Sequence, residues 1–485
     1  MRDVEPFSVV IFLVAAALIV AVLSNRLSDR IRIPAPALFL IAAAVASDVF
    51  PALGAIPLEI DERIVTVALI FILFDGGMHM GWKRFRSASG SIVWIGVAGT
   101  AVTAGAVAFA AHALFGFDWR TALLLGAALS PTDPAVVFSV LGKREIAGRS
   151  GTILEGESGA NDPVGIALMA SLLGASGAGF GAVAAGAGNF ALQMAVGAAV
   201  GGLGGYALVK LMRRVALPNE SLHSVRTIAC AAFIYAAATL LHGSGFLAVF
   251  LAGIIVGDAR APYKREIERF VSGFASISEI VAFAVLGLSV SLRELLVSGA
   301  LWTGLALAAL LILVVRPVLV GALLWPVRLH RGERLFVLWS GLKGAVPILL
   351  GMFILGSGTA KGSTVYSIIF VVVLVSVVLQ GSLVPAFAGL FRVPMRQVQL
   401  EPWAFGLRFR NEPHGLHDYV IAPGSPADGC TIAELSLGES GWISMVRRHG
   451  QLVQVRGTTT LQAGDTVLAL SEPEGGLADL FKCPR

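Results

Sequence analysis

Ser130-Pro131-Thr132-Asp133-Pro134 places an acid between two prolines in the middle of an apolar run at residues 120–141. Each proline removes a backbone donor and leaves one carbonyl without its helical partner. In a bilayer, such an unwound stretch is tolerated only where it lines a cavity or a site. A proline kink with a capping aspartate is the structural alternative, but a cap alone does not need an acid at this depth. The stretch therefore predicts a membrane helix that is broken at a functional site.

The composition of the whole chain agrees with a membrane location. Of its 485 residues, 56% are hydrophobic and only 14% are charged, whereas soluble proteins carry about 25% charged residues. The apolar residues occur in runs of roughly 20, the length that crosses a bilayer as a helix. We therefore predict an all-α polytopic membrane protein with about 13 transmembrane helices. The expected spans lie at 7–23, 34–50, 63–80, 91–113, 120–141, 153–175, 189–211, 224–241, 245–258, 273–290, 299–325, 334–356 and 364–391.

Basic residues fall in every second loop between these spans, and the net charge is +5. Basic loops stay cytoplasmic, so the pattern argues against nucleic acid as a partner. It predicts an N-terminus outside and a C-terminus in the cytoplasm, in a bacterial inner membrane. The first run lacks a basic leader and a cleavage site, so we interpret it as a retained span. The basic clusters are Arg26/Arg30/Arg32, Lys83/Arg84/Arg86, Lys143/Arg144/Arg149, Lys210/Arg213/Arg214, Arg260/Lys264/Arg265/Arg269, Arg328/Arg331/Arg334 and Arg392/Arg396.

A second polar cluster opens the sixth span, which begins Glu155-Gly156-Glu157-Ser158-Gly159-Ala160-Asn161-Asp162-Pro163. On a helix, Ser158, Asn161 and Asp162 share one face, and oxygen ligands of this kind suit hard cations. Desolvation penalises the charged form of a carboxylate, so a buried one can hold a proton near neutral pH. Such a group holds either a proton or a cation, and that competition is sufficient for exchange. The alternative is an N-cap cluster at a helix start, which describes Glu155 better than Asp162.

Other ionisable residues in apolar runs are candidates for function, because each costs roughly 2.5–3.5 kcal/mol on insertion scales. Asp75 ends the third span and either marks the membrane edge or faces Asp133 across the bundle. Arg316 lies inside the eleventh span and is expected to pair with Glu157. Lys343 lies in a glycine- and proline-broken part of the twelfth span, where it is expected to offset charge near the site.

The two interrupted helices, in the fifth and twelfth spans, occupy corresponding places in the chain. The first six and the last six spans then form two halves of opposite orientation, joined by the seventh. Paired broken helices in an inverted repeat indicate a transporter with a midplane site and alternating access rather than a pore. The sequence contains no nucleotide-phosphate loop in its apolar part and no nucleophile–base pair, so it predicts neither an enzyme nor a cofactor.

With these residues identified, the chain resembles the bacterial monovalent cation/proton antiporters of the NhaP type, relatives of the animal sodium/proton exchangers. The resemblance covers residues 5–392. It implies a homodimer with an inverted-repeat fold and two crossing, partly unwound helices. The residues that carry it are, in chain order, Thr132-Asp133-Pro134, Glu157-Ser158, Asn161-Asp162, Arg316 and Gly341-Leu342-Lys343-Gly344.

The resemblance also implies roles for residues around the broken helix. Asp162 is implied to be the exchanging carboxylate, with Asp133, Thr132 and Ser158 binding a monovalent cation beside it. Asn161 stands where other branches of the family carry a second aspartate, which implies one-for-one, electroneutral exchange.

Charged residues elsewhere in the apolar part match the family less uniformly. Glu157 and Arg316 match its structural ion pair. Lys343 stands where the pattern usually has arginine, and lysine is a point charge rather than a planar fork. Asp75 resembles an acid that some prokaryotic members use at the site.

Residues 400–485 are polar and turn-rich with short β-like runs, so we predict a small cytoplasmic α+β domain that follows a transmembrane domain at 1–393. The tail resembles the TrkA-C domain, the ligand-sensing half of potassium-conductance regulators. Within the NhaP type, such a tail resembles the potassium/proton subgroup linked to cell-volume control. Arg447, Arg448 and His449 either bind an anionic nucleotide or form a solvated basic hairpin. The matching stretches are 424–435, 447–450 and 461–465.

These observations predict a secondary antiporter that exchanges cytoplasmic K⁺, or Na⁺, for H⁺ and is regulated by its tail. A Na⁺/H⁺ antiporter of the same fold is one alternative, because the site residues do not select between the two ions. A regulated cation channel is another, but it would need a carbonyl filter such as Thr-Val-Gly-Tyr-Gly, which the sequence lacks. A membrane sensor without transport leaves four buried charges unexplained, namely Asp133, Asp162, Arg316 and Lys343.

Overall fold

The computed structural model describes most of the chain, which divides between Arg396 and Gln397 into two compact units. The expected first span at 7–23 lies outside the described residues. Each unit has its own hydrophobic core. The described residues are 34–50, 53, 57–141, 144–146, 148–174, 180–359, 361–397, 416–435, 437, 441–448, 451–471 and 477–481.

The larger unit is built from helices, with one small sheet formed by the strands β1 (Arg144–Ile146) and β2 (Met395–Gln397). Its helices, in chain order, are α1 Ala35–Val49, α2 Leu58–Val93, α3 Thr100–Phe115, α4 Trp119–Ala128, α5 Ala135–Leu141, α6 Arg149–Gly174, α7 Phe180–Arg214, α8 Glu220–Leu240, α9 Gly245–Gly257, α10 Lys264–Leu288, α11 Leu292–Val297, α12 Ala300–Leu310, α13 Gly321–Leu323, α14 Arg331–Trp339, α15 Ala345–Gly356, α16 Gly362–Val375 and α17 Gly381–Leu390.

Long apolar helices dominate this unit. Among the described residues, six helical stretches are long and apolar enough to cross a membrane. Large apolar side chains such as Leu203, Phe233 and Trp302 point outward and are exposed, which suits lipid because lipid tails are as apolar as these side chains. The six stretches are Leu58–Phe115, Ala185–Arg214, Glu220–Leu240, Lys264–Leu288, Ala300–Leu323 and Gly362–Leu390, and shorter apolar helices lie at Ala35–Val49, Gly245–Gly257 and Ala345–Gly356.

Helices occupy every expected span from 34–50 onward, but several begin earlier than the apolar runs. Helix α10 starts at Lys264 rather than near residue 273, because its first turns carry charged residues that a search for apolar runs excludes. Such residues form helix as readily as apolar ones.

The basic connection expected between the third and fourth spans is helical rather than a loop. Helix continues on both sides of Gly81, which alone leaves the helical conformation with φ +65°. The Asp258 carboxylate lies against Gly81 and accepts a hydrogen bond from the Lys83 N–H at 2.5 Å. A side chain from α9's end therefore caps the restarted helix in the way a local N-cap residue would.

Three π-helical stretches continue the long helices. Trp94–Gly99 joins α2 to α3, Leu311–Val320 joins α12 to α13, and Ser376–Gln380 joins α16 to α17. The middle stretch contains Pro317, which cannot donate to the carbonyl one turn back and so favours a wider turn. Arg316 in this stretch is buried.

Two helices are broken and meet at their breaks. The first broken helix consists of α4 and α5, separated by residues 129–134, and the second consists of α14 and α15, separated by residues 340–344. The Asp133 N–H donates to the Leu342 carbonyl at 2.8 Å. The first unwound stretch therefore satisfies one backbone donor through the second, and a bilayer interior requires such pairing.

The smaller unit contains a four-stranded antiparallel sheet in the order β3-β6-β4-β5. The strands are β3 Leu416–Val420, β4 Gly441–Arg448, β5 Gln451–Val453 and β6 Thr466–Ser471. Sequence patterns predicted three of these runs but not β4, the longest strand, whose burial follows no strict alternation.

The expected α+β composition of the tail is corrected by this sheet. Among the described residues of the smaller unit, the only helix is the short α18, Ala478–Phe481. Phe481 packs with Tyr419 and Val446 in the core between the sheet and this helix. The tail is therefore a small β-sheet domain.

Candidate functional site

Asp162 lies in α6, next to the break in the first broken helix. Its side chain is 7% exposed, and its Oδ1 atom is buried with no hydrogen-bond partner among the described residues. The Asp133 carboxylate and the Lys343 ammonium interact with it electrostatically. A bare buried carboxylate oxygen is costly, so this atom needs a proton, a cation or a water molecule.

Thr132, in the unwound stretch of the first broken helix, is fastened to α6 by two side chains. The Asn161 Nδ2 donates to Thr132 Oγ1 at 2.7 Å, and its Oδ1 accepts from the Thr132 N–H at 3.2 Å. Ser158 Oγ donates to the Thr132 carbonyl. Asn161 thus holds the unwound stretch with both of its polar atoms, while Ser158 keeps hydroxyl lone pairs that can face an ion.

Asp133 follows Thr132 and packs against the second broken helix. Its carboxylate lies directly over Gly344, where an added Cβ atom would overlap the Asp133 side chain. Gly344 precedes the first residue of α15. The positive end of that helix therefore faces the carboxylate of Asp133.

Lys343 caps the first broken helix from the second. Its Nζ donates to the carbonyls of Ser130 and Pro131 at 3.1 and 2.9 Å, and its side chain is 5% exposed. These carbonyls follow the end of α4, where helices leave acceptors without partners. A cation at a helix C-terminus also stabilises the helix dipole.

Arg316 caps the second broken helix in the same manner. Its Nε donates to the Leu338 carbonyl at 2.9 Å and its Nη2 to the Val337 carbonyl at 3.2 Å. The same Nη2 lies 2.9 Å from Glu157 Oε1, and both side chains of this ion pair are buried. An added Cβ at Gly341 would overlap the Arg316 guanidinium, so glycine is needed there.

Two residues that sequence reasoning missed complete the support of the second broken helix. Gln380 Nε2 donates to the Trp339 carbonyl at 3.0 Å, and Ser376 Oγ donates to Gln380 Oε1 at 2.7 Å. Ser376 Oγ also accepts from the Lys343 N–H at 3.0 Å. Neutral polar residues in a valine-rich run are a weak sign of function in the sequence. Gln380 was the stronger sign of the two, because polar side chains inside a membrane span are costly.

Asp75 lies in α2 with its own set of partners. Its Oδ1 accepts a hydrogen bond from Ser272 Oγ of α10 at 2.7 Å, and the same atom lies 3.4 Å from His79 Nδ1. The contacts that the structure gives to Asp75 are therefore with α10 and with its own helix.

Glu279, in the middle of α10, is a further acid that sequence reasoning missed. Its Oε1 atom is buried without a hydrogen-bond partner among the described residues, and its carboxylate interacts electrostatically with Asp133. The signal was present, because an acid at residue 279 falls inside the apolar run expected at 273–290.

The site thus brings two aspartates and one ammonium group to the crossing of two broken helices, and a glutamate of α10 acts electrostatically on one of these aspartates. The backbone carbonyls of Ser130, Pro131 and Thr132 already accept hydrogen bonds from side chains. Among the described residues, a buried carboxylate oxygen without a hydrogen-bond partner remains on Asp162 and on Glu279. Such oxygens can bind either a proton or a hard cation.

In the smaller unit, Arg448 is committed to an internal ion pair. Its Nε and Nη2 donate to the two carboxylate oxygens of Asp465, each at 2.8 Å, and Nη2 also reaches the Thr460 carbonyl at 2.8 Å. The hydrogen bonds to Asp465 raise the pKa of Arg448 above its ordinary value. Arg447 lies beside it in β4, and His449 is outside the described residues.

Both units of the chain match families of known proteins. Residues 14–389 match the family described as sodium/hydrogen exchanger, transmembrane, and residues 416–482 match the TrkA-C domain. The first match covers more than half of the chain. This chain belongs to the sodium/hydrogen exchanger family. The exchanger is therefore a multi-pass membrane transporter and not an enzyme.

Individual relatives agree with this assignment. The exchanger is 33% identical to the K⁺/H⁺ antiporter NhaP of Alkalimonas amylolytica, over 96% of this chain and 82% of that protein. It is 32% identical to the K⁺/H⁺ antiporter NhaP2 of Shewanella sp. (strain MR-4), over 97% and 83%. The sodium proton antiporter MjNhaP1 of Methanocaldococcus jannaschii has the same fold, with a TM-score of 0.68, 21% identity, and coverage of 79% and 98%.

These matches confirm the predicted NhaP-type cation/proton antiporter with a C-terminal TrkA-C domain. They also confirm that the chain is a transporter rather than an enzyme.

Proposed function

We propose that this exchanger moves cytoplasmic K⁺ out and H⁺ in across the inner membrane, one for one, at Asp162. One observation carries the proposal. Asp162 has a buried oxygen without a hydrogen-bond partner among the described residues, at the crossing of two broken helices and near groups of opposite charge. A carboxylate in that setting binds a proton or a cation in turn.

The exchange follows from competition for one carboxylate. Asp162 is neutralised either by a proton or by a monovalent cation, so each species displaces the other. Asp133, Thr132 and Ser158 supply further oxygens to the cation, and Lys343 offsets part of the negative charge. Because Asn161 carries no titratable group, the cycle moves one proton for one cation and no net charge.

The architecture supports alternating access. We propose 13 spans, an inverted repeat of two six-span halves, a homodimer, an outside N-terminus and a cytoplasmic C-terminus. Broken helices that cross near the midplane are a recurrent feature of such transporters. The Glu157–Arg316 pair holds the second broken helix in place, while Asp75 lies on the path to the site.

K⁺ is proposed over Na⁺ for two reasons. The relatives that share both the membrane part and the tail at 32–33% identity are named K⁺/H⁺ antiporters. The chain also carries a TrkA-C domain. We propose a transmembrane domain at 1–393 and a regulatory cytoplasmic domain at 400–485, which serves pH and volume homeostasis. An anionic nucleotide near Arg447 and His449 stays a prediction, and Arg448 has its own partner in Asp465.

Proton flux in proteoliposomes tests this function. The purified full chain is reconstituted with a pH-sensitive dye, a proton gradient is imposed, and K⁺, Na⁺, Li⁺ or choline is added in turn. We expect K⁺ to dissipate the gradient at a rate that does not depend on an imposed membrane potential. A response to Na⁺ or Li⁺ alone would remove K⁺ from the proposal, and no response to any cation would remove antiport itself.

The same assay tests the role of Asp162. We predict that Asp162→Asn lowers exchange at least about 100-fold, because a neutral amide has no proton to exchange in this pH range and no charge to neutralise the cation. Glu155→Gln is the matched control, since it removes an acid from the same helix whose partner is Arg84 at 2.8 Å. Exchange that survives in a folded Asp162→Asn protein would refute the assignment.

A further inference from the structure

Glu279 lies deep in the membrane unit on the inner face of α10. It is 15 residues past Lys264, the first residue of the helix, or roughly 22 Å along the axis. Ala275, Ala282 and Phe283 on the same side of the helix are buried. Helix α10 packs on α1, α2, α8 and α15, and α15 is the second half of the second broken helix.

The carboxylate of Glu279 has no compensating partner there. Its Oε1 atom is buried and accepts no hydrogen bond from any described residue. The charged group that acts on it within the described part of the chain is the Asp133 carboxylate, which has the same sign. Two such groups in a low-dielectric setting cannot both stay ionised unless a cation lies between them.

Glu279 also continues a polar line along α10. Ser272 lies seven residues earlier, about 10.5 Å along the axis and on the same face. Its hydroxyl donates to Asp75 at 2.7 Å, close to the end of the helix that carries Lys264. Glu279 interacts electrostatically with Asp133, and Asp133 with Asp162, whose buried Oδ1 has no hydrogen-bond partner among the described residues.

We infer that Glu279 and Asp133 form a second binding site for a monovalent cation, on the path between the Ser272–Asp75 contact and Asp162. We call this site the outer station, because it lies further from the basic start of α10 than Ser272 does but is reached before Asp162. The inference rests on the proposed function, because it assigns a second binding site to the same transported cation. A cation between the two carboxylates cancels their repulsion and raises the local cation concentration next to the exchanging group.

The two stations have separable effects on transport. Asp162 carries out the exchange of proton and cation, so its loss stops turnover. Glu279 recruits the cation before that step, so its loss weakens apparent affinity and leaves the exchange step intact. A residue that served only to hold the fold would lower the amount of active protein without changing the cation dependence.

The test measures exchange by the full-length protein in proteoliposomes against cation concentration. For Glu279→Gln, which keeps the shape and removes the charge, we expect the apparent KM for K⁺ to rise about tenfold and the maximal rate to stay within about twofold. Tenfold corresponds to about 1.4 kcal/mol. Glu279→Asp, which keeps the charge one methylene further back, should give an intermediate KM.

Glu268→Gln is the matched control, because it removes an acid near the start of the same helix that is paired with Lys264. An unchanged KM in Glu279→Gln, or a KM equally raised in Glu268→Gln, overturns the outer station. If Glu279→Gln does not fold, a KM for Glu279→Asp equal to that of the unmodified protein overturns it as well. Absence of exchange in the unmodified protein would instead overturn the proposed function.

Discussion

Gly344 shows how closely single residues fit at this site. The Asp133 carboxylate lies where a side chain at residue 344 would begin, so the absence of a Cβ atom lets an acid approach the start of α15. The side chain of Asp133 therefore takes its position from a residue more than two hundred positions away in the sequence.

We predict that Gly344→Ala lowers exchange at least about tenfold, because the added methyl group displaces Asp133 from the site. A tenfold loss is equivalent to about 1.4 kcal/mol of barrier. The measurement is cation-driven proton flux in proteoliposomes, normalised to folded protein.

Gly105→Ala serves as the control, since that helical glycine has no atom near its added Cβ. Full activity in Gly344→Ala would show that Asp133 can move without consequence, and equal losses in both variants would show that helix context rather than Asp133 matters.

The charged groups were predictable from the sequence, and so was one partner, because Arg316 pairs with Glu157 as expected; the other contacts were not. Asp133, Asp162, Arg316 and Lys343 stand out because a charge in an apolar run is expensive. What each one touches depends on tertiary structure. Lys343 was expected to offset carboxylates, yet its Nζ also binds two carbonyls at the end of α4.

The two broken helices share one structural solution at the level of the element. The first half of each broken helix ends in carbonyls that lack helical partners. A positively charged side chain from another segment donates hydrogen bonds to each set. Lys343 binds those after α4, and Arg316 binds those at the end of α14. Lys343, which caps the first broken helix, lies in the break of the second. The first break therefore depends on the second.

We predict that Arg316→Met destabilises the protein by about 3–5 kcal/mol, because it leaves Glu157 buried and unpaired. The Arg316→Met/Glu157→Met double variant should recover part of that loss, since an apolar pair removes the bare charge. Thermal unfolding in detergent, followed by size-exclusion chromatography with fluorescence detection, measures both.

Glu157→Met alone completes the cycle and reports what the pair is worth beyond its parts. A double variant no more stable than Arg316→Met would mean that the uncapped carbonyls of Val337 and Leu338, rather than the bare carboxylate, dominate the loss.

Helix breaks were predictable where the residues that cause them lie in the same segment of sequence. The prolines around Asp133 and the glycines around Lys343 predicted both breaks, because their effect on the backbone does not depend on neighbours. The restart of α2 at Gly81 was not predictable, because the group that caps it, Asp258, comes from the end of another helix. Strand β4 was missed since its pattern of burial depends on packing in the tail.

The whole molecule consists of two units with separate cores. The larger one ends with β2, which pairs with β1 next to the first broken helix. The smaller one is closed by its own sheet and by the Arg448–Asp465 pair. Each therefore contains the contacts that its own fold requires.

We predict that a chain truncated after residue 399 still exchanges cation for proton, because every proposed site residue and strand β2 are retained. The maximal rate is expected within about threefold of the full chain, consistent with the separate cores of the two units. Proteoliposome flux of the two proteins side by side is the measurement.

Any response of the full chain to an added adenine nucleotide should be absent after truncation. If the truncated protein is folded but inactive, the tail is part of the transport machinery rather than a regulator.

The two hydrogen bonds between Asn161 and Thr132 have an evolutionary consequence. A change of asparagine to aspartate needs one nucleotide, and at this position it would add a second acid beside Asp162. The same change replaces the Nδ2 donor to Thr132 Oγ1 with a carboxylate oxygen, so the Thr132 hydroxyl would have to turn and donate instead. A lineage that acquires this second acid therefore keeps its hold on the unwound stretch only by reversing that hydrogen bond.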